Sequence, residues 1–169
     1  HNFIMLGLAK NGDYESLNEY LTNLVDDDNK VWGETRYCEN TTINMILTMY
    51  KRRAKENGIS VKISAKASNN LAVPPQDLVI VIANLFENAI NATAKLNGKG
   101  RNIDIQIKDS PERLLIKIDN PCRANLSFDE TLYGIGIRSV IATTTKYEGM
   151  YDFTAEDGVF SAKIILNLR

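Results

Sequence analysis

Apolar and polar residues follow two rhythms along this chain, and the change falls near Gly58. Before it, apolar positions recur at helical spacing. Phe3, Leu6 and Leu8 are followed by Leu17, Tyr20, Leu21 and Leu24, with Asn11-Gly12 between and Asp13 as an N-cap. The acidic run Asp26-Asp27-Asp28 closes the second stretch as an exposed loop. Asn40 caps a third helix, whose Ile43, Ile46, Leu47, Tyr50 and Ala54 make one stripe, and Gly58 ends it. Lys51, Arg52, Arg53 and Lys55 lie near its C-terminal end, where cations suit the helix dipole. They read as a solvated face, with a partner site as the other reading.

After Gly58 the period drops to two. Ile59, Val61 and Ile63 alternate with polar residues, as do Ile103, Ile105 and Ile107, then Leu114, Ile116 and Ile118. Phe160, Ala162, Ile164, Leu166 and Leu168 repeat the pattern. Such strands have one polar face, as in a sheet covered on one side only. Residues 108–112 and 156–158 read as turns between strands. Two helices interrupt them. One runs from Pro75, suited to a first turn, to about Leu96, with Gly98 beyond; the other runs from about Gly136 to Lys146. The expectation is an α/β fold, a two-layer α/β sandwich over 58–169 preceded by a helical arm over 1–57.

Composition narrows the function classes. The chain has 169 residues, enough for a core that needs no staples. Lys plus Arg is 20 and Asp plus Glu is 21, so no basic surplus exists to displace counterions, and nucleic acid is not an expected partner. Cys38 and Cys122 lack metal-ligand spacing and fit a reducing compartment. The apolar run Leu78 to Phe86 is too short to cross a bilayer. The single histidine, His1, has no methionine before it, so the chain reads as a piece of something longer.

Three elements carry candidate chemistry. In the helix from Pro75, residues Asn84, Asn88, Asn91 and Lys95 fall within roughly 60° of one another at about 100° per residue. Leu78, Ile82, Leu85, Ala89, Ala92 and Leu96 take the opposite side, toward the sheet. Asparagine suits a helix interior poorly, because its amide competes with the backbone. Two readings fit the stripe: amide oxygens for a Mg²⁺ that also takes phosphate oxygens, or a tolerated polar face. The second element is Tyr133-Gly-Ile-Gly-Ile-Arg-Ser139, where two glycines at a helix N-terminus let backbone N–H groups approach an anion. Its bland counterpart is an ordinary tight turn. In the third, the strand Ile116-Lys-Ile-Asp-Asn-Pro121 delivers a polar side chain at its end, where a plain terminating turn would look the same.

Taken together, the three resemble the ATP-binding domain of the GHKL superfamily (gyrase, Hsp90, histidine kinase, MutL). They most resemble its sensor histidine kinases of the peptide quorum-sensing, AgrC-type branch. The segment 84–92 looks like the N box, with Asn88 at the Mg²⁺-binding asparagine. Ile118-Asp-Asn-Pro looks like the G1 box, with Asn120 where most relatives carry the aspartate that contacts the adenine amino group. Tyr133-Gly-Ile-Gly-Ile looks like the G2 box, with Gly134 and Gly136 beside the phosphates and residues 120–133 as a short ATP lid. Pro74-Pro-Gln-Asp-Leu and Glu156-Asp-Gly-Val-Phe-Ser also match that branch. Tyr133 and Ile137 replace its usual His and Leu, and Asn91 stands where some kinases carry a basic residue that Lys95 would partly replace.

The resemblance implies a Bergerat ATP-binding fold, ATP and Mg²⁺ as cofactors, and a nucleotide site of Asn84, Asn88, Asn91, Lys95, Asn120, Tyr133, Gly134 and Gly136. ATP-hydrolysing relatives carry a glutamate base four residues before the Mg²⁺ asparagine; Asn84 stands there and accepts no proton, which suits phosphoryl transfer over hydrolysis. Glu87, about 60° off the stripe, is not assigned as a base. Residues 1–57 then resemble part of the dimerisation and phosphoacceptor helices. The acceptor histidine is expected about five residues upstream of His1, which reads as a helix histidine or an extraneous first residue, with the phosphoacceptor itself as the less favoured reading. The implied protein is a homodimer that passes the γ-phosphate to a histidine and then to a response regulator. It would be the cytoplasmic portion of a sensor whose membrane segments lie upstream. A degenerate domain serving as a phosphotransfer or docking scaffold without kinase activity and an anti-sigma-type serine kinase are the alternatives, and the arm counts against the second.

Overall fold

The computed structural model describes residues 36–96, 100–123 and 134–168. The first two expected helices, the acidic run, His1, Gly98, Tyr133 and most of the expected lid lie outside the described residues. Helix α1, Thr41–Glu56, begins where the Asn40 side chain accepts from the Ile43 N–H at 3.0 Å, and Arg53 and Lys55 occupy its last turn. Strand β1, Ser60–Lys66, leads to α2, Pro75–Ala94, a 20-residue helix with Pro75 in its first turn. Strands β2, Asn102–Asp109, and β3, Arg113–Pro121, follow. Helix α3, Ile135–Lys146, then precedes β4, Met150–Glu156, and β5, Val159–Asn167.

The five strands form one sheet in the order β1-β2-β3-β5-β4. Only β1 and β2 are parallel, and α2 makes the crossover that parallel neighbours require. The other pairs are antiparallel. Strand β4 is an addition to the four runs delimited by alternation. Its Tyr151, Phe153 and Ala155 do alternate, but it is an edge strand whose first three residues are exposed, so the burial contrast along it is weak. Asp157 and Gly158 join β4 to β5 with φ of 50° and 76°, the left-handed pair that a two-residue hairpin needs.

One face of the sheet is apolar. Ile103, Ile105 and Ile107, then Leu114, Ile116 and Ile118, then Ala162, Ile164 and Leu166 are buried beneath the helices, while Lys62, Asp104, Gln106, Lys117 and Lys163 alternate on the other side. This is the expected α/β sandwich. Two expectations change in detail. Helix α2 touches α1 on one flank, α3 on the other and the sheet below. Val79, Ala83, Phe86 and Ile90 are therefore buried along with Leu78, Ile82, Leu85 and Ala89, and the apolar surface is wider than a single sheet-facing side. Helix α1 also belongs to this packing. Ile43, Ile46, Leu47, Tyr50 and Ala54 join the common core, and the Tyr50 ring stacks on Phe86 with centroids 5.4 Å apart. A division at 57/58 thus cuts through a shared core rather than between two.

Candidate functional site

Helices α2 and α3 run antiparallel against each other, and two contacts define the register. Near the start of α2, Asp77 is only 5% exposed and accepts from Lys146 Nζ at 2.7 Å and Tyr147 Oη at 2.6 Å, both at the far end of α3. Two turns along α2, Asn84 meets the first turn of α3. Asn84 is 8% exposed and donates through Nδ2 to the Ile80 carbonyl at 2.6 Å. Its Oδ1 lies so close to Gly136 that a Cβ added there would sit 2.8 Å from it. In the same register Asn88, about 6 Å farther along α2, lies past the first turn of α3.

The expected stripe therefore spans three environments. Asn84 is buried, Asn88 half-buried, and Asn91 and Lys95 exposed. Among the described residues Asn88 has no hydrogen-bond partner, so its amide is available to a ligand. Asn91 donates through Nδ2 to Glu87 Oε1 at 3.2 Å, which leaves its carbonyl oxygen as the free end. Lys95 is the residue that closes α2.

The open mouth beside Asn88 is the N-terminus of α3. Gly134 is its N-cap, exposed and extended, and among the described residues no side chain caps the first turn. The two glycines are not equivalent. Among the described residues nothing lies within 4 Å of a Cβ placed on Gly134, whereas Gly136 is crowded by Asn84. Ile137 turns into the core, so Ile in place of Leu there is a packing exchange. Asn120 ends β3 on the helix-covered side, 3% exposed, opposite Phe160 of β5. Its Nδ2 donates to the Pro121 carbonyl at 3.0 Å, which leaves Oδ1 as an acceptor.

Several participants were not legible beforehand. Arg53, grouped with the solvated cations of α1, instead reaches across to Glu87 Oε2 at 2.6 Å, where the Glu87 side chain is 13% exposed. That carboxylate is thus held between Arg53 and Asn91, which is why it is not free to serve as a base. For the Asp77–Lys146–Tyr147 group the chain showed Asp77 within the Pro74-Pro-Gln-Asp-Leu segment and as an acid in a first helical turn, but nothing that pairs it with Lys146 and Tyr147. Burial and the adjacent Asp77 carboxylate push the Tyr147 phenol above its ordinary pKa, keeping it a hydrogen-bond donor. Burial likewise raises the thiols of Cys38 and Cys122, so neither is a thiolate at neutral pH. Among the described residues no group of three His, Cys, Asp or Glu side chains could hold a metal, and no helix is long and apolar enough to cross a membrane.

An α/β sandwich with an asparagine-bearing helix beside an open helix N-terminus defines a recognisable class. The model of the GHKL domain matches residues 73–167, more than half of the chain, and the chain belongs to that family. Among curated proteins, a probable C4-dicarboxylate sensor kinase of Bacillus subtilis (strain 168) is 30% identical over 105 residues, covering 60% of this chain and 20% of that protein. The chain therefore spans a fifth of that relative's length. Among solved structures, the nucleotide-free catalytic domain of histidine kinase ThkA matches with a TM-score of 0.60 at 14% identity, covering 75% of this chain and 91% of that one. The Acinetobacter baumannii histidine kinase AdeS matches with a TM-score of 0.61 at 14% identity, covering 100% and 96%. At such identities the structural matches establish a shared fold.

Proposed function

We propose that this chain is the ATP-binding catalytic region of a sensor histidine kinase of the peptide quorum-sensing type. The observation that carries the reading is Asn88, whose amide has no partner among the described residues and lies one turn beyond the α2–α3 contact, toward the N-terminus of α3. A neutral amide oxygen, with no acidic cluster among the described residues, suits a cation that keeps water and phosphate oxygens, so the residues fit Mg²⁺. Asn88 would hold it, and when bound it would neutralise phosphate charge. The N–H groups after Gly134 would receive the phosphates. Asn120 Oδ1 would accept from the adenine amino group, and Asn91 and Lys95 would border the phosphate side with Tyr133.

These residues bind and orient; the domain itself needs no nucleophile. The γ-phosphoryl group would pass from the β–γ bridging oxygen of ATP to an imidazole nitrogen, releasing ADP, through positioning and charge neutralisation alone. The acceptor would lie upstream of His1 on dimerisation helices formed in part by residues 1–57, in a homodimer. A response regulator aspartate would take the group next. Membrane attachment would come from upstream segments, with this region in the cytoplasm. The relative's name, a sensor kinase, supports the same placement.

The test is thermal unfolding with nucleotide. Mg²⁺–ATP at 100 times its Kd stabilises by about 2.7 kcal/mol, which for a domain of this size raises Tm by roughly 10 °C. Asn88→Ala should remove the shift while leaving the unliganded Tm within a few degrees. The substitutions at Tyr133 and Asn120 favour the scaffold reading instead, and no shift at millimolar Mg²⁺–ATP would decide for it.

A further inference from the structure

We infer that Asn84 and Gly136 form a steric lock that seats α3 on α2, and that Asn84 is a positioning residue of the nucleotide site rather than one that touches the ligand. This deepens the reading above and rests on it for its ligand arm only. The Asn84 amide is held within the helix pair: Nδ2 donates to the Ile80 carbonyl at 2.6 Å, and Oδ1 packs against Gly136. Glycine in a helical turn is disfavoured relative to alanine, so its presence needs a cause. At Gly136 the cause is visible, because an added Cβ would lie 2.8 Å from Asn84 Oδ1 and 3.5 Å from Asn84 Cγ. Gly134, nearer the mouth, has no such neighbour among the described residues. The crowding of the second glycine thus comes from a side chain of α2.

The lock has a counterpart at the other end. Asp77 holds Lys146 and Tyr147, so the 12-residue helix α3, about 18 Å long, is fixed to α2 at both termini. The Asn84 contact sits at the end that matters for a ligand. A side chain at 136 would push the Asn84 amide off Ile80 and tilt the first turn of α3 relative to Asn88.

A double-mutant cycle tests this. Gly136→Ala is made in the wild-type chain and in Asn84→Ala, where the remaining Cβ lies 3.7 Å from the added methyl, an ordinary contact. Tm and the Kd of a fluorescent ATP analogue with Mg²⁺ are measured on all four proteins. The change in Tm on placing alanine at 136 should be more favourable by about 5 °C in the Asn84→Ala background. Analogue affinity should fall about tenfold in Gly136→Ala and recover to within about twofold of Asn84→Ala in the double variant. Equal Tm changes in both backgrounds overturn the lock. Coupled Tm values with an analogue affinity that stays low in the double variant overturn the positioning role and return Gly136 to the phosphates. An unmodified chain that binds no analogue would sink the nucleotide reading, and the Tm cycle would still decide the lock.

Discussion

Replacing Asp77 by alanine removes the anchor that ties the start of α2 to the end of α3. The carboxylate is 5% exposed and has two donors, Tyr147 Oη at 2.6 Å and Lys146 Nζ at 2.7 Å. A phenol donating to a charged acceptor contributes about 1.5–3 kcal/mol. Lys146 is 59% exposed, so solvent screens its share to below about 1 kcal/mol, and the ammonium can turn to water when its partner is lost. An acid in the first turn of α2 adds about 0.5 kcal/mol through the helix dipole. Relief of the carboxylate's desolvation offsets part of the total. The expected loss is about 2 kcal/mol, or roughly 7 °C in Tm. Asp77→Asn, which keeps an acceptor for Tyr147, should lose about half as much, and Lys146→Met less than about 0.5 kcal/mol. Urea unfolding followed by far-UV circular dichroism measures these differences, provided the slope m stays constant across the series. The reasoning is refuted if Asp77→Ala unfolds within about 0.5 kcal/mol of the unmodified chain, or if Tyr147→Phe costs the same with and without Asp77.

Two further outcomes follow from the same geometry. The folded state holds the Tyr147 pKa above its unfolded value of 10.0, so its contribution is fully present below that pH and is lost as pH rises through the folded value. Stability should fall above about pH 10 more steeply in the unmodified chain than in Tyr147→Phe, a comparison that leaves Lys146 common to both; parallel pH profiles would contradict it. A chain starting at Arg36 should unfold cooperatively, whereas one starting at Gly58 should not. Ile43, Ile46 and Leu47 of α1 are essentially fully buried and contribute roughly 5–9 kcal/mol, comparable to the whole stability of a typical domain. Dispersed amide NMR signals from residues 58–169 alone would disprove this.

Local rules were sufficient wherever one element's own geometry set the outcome. Asn40 as a cap, Pro75 at a first turn, the period-two runs of β2, β3 and β5 and the Asp157-Gly158 turn need only backbone sterics and alternation, and all are read directly from the chain. The motifs at 84–92, 118–121 and 133–137 were legible because their residue types are poor choices for plain helix, strand and turn. What the chain could not show is how neighbouring elements share surface. Helical angles place Asn84, Asn88 and Asn91 on one stripe, yet only the position of α3 decides that the first is buried against Gly136 while the second, one turn on, is half-buried. Arg53 and Glu87 lie 34 residues apart, and Asp77 and Tyr147 lie 70 apart, so no local pattern pairs them. The boundary near Gly58 is a true change of rhythm, from helix to strand, but rhythm reports secondary structure and not shared burial. Whether α1 belongs to the sheet domain is settled only by Tyr50 on Phe86 and by the aliphatic side chains beside them, because burial is a property of the assembled layers.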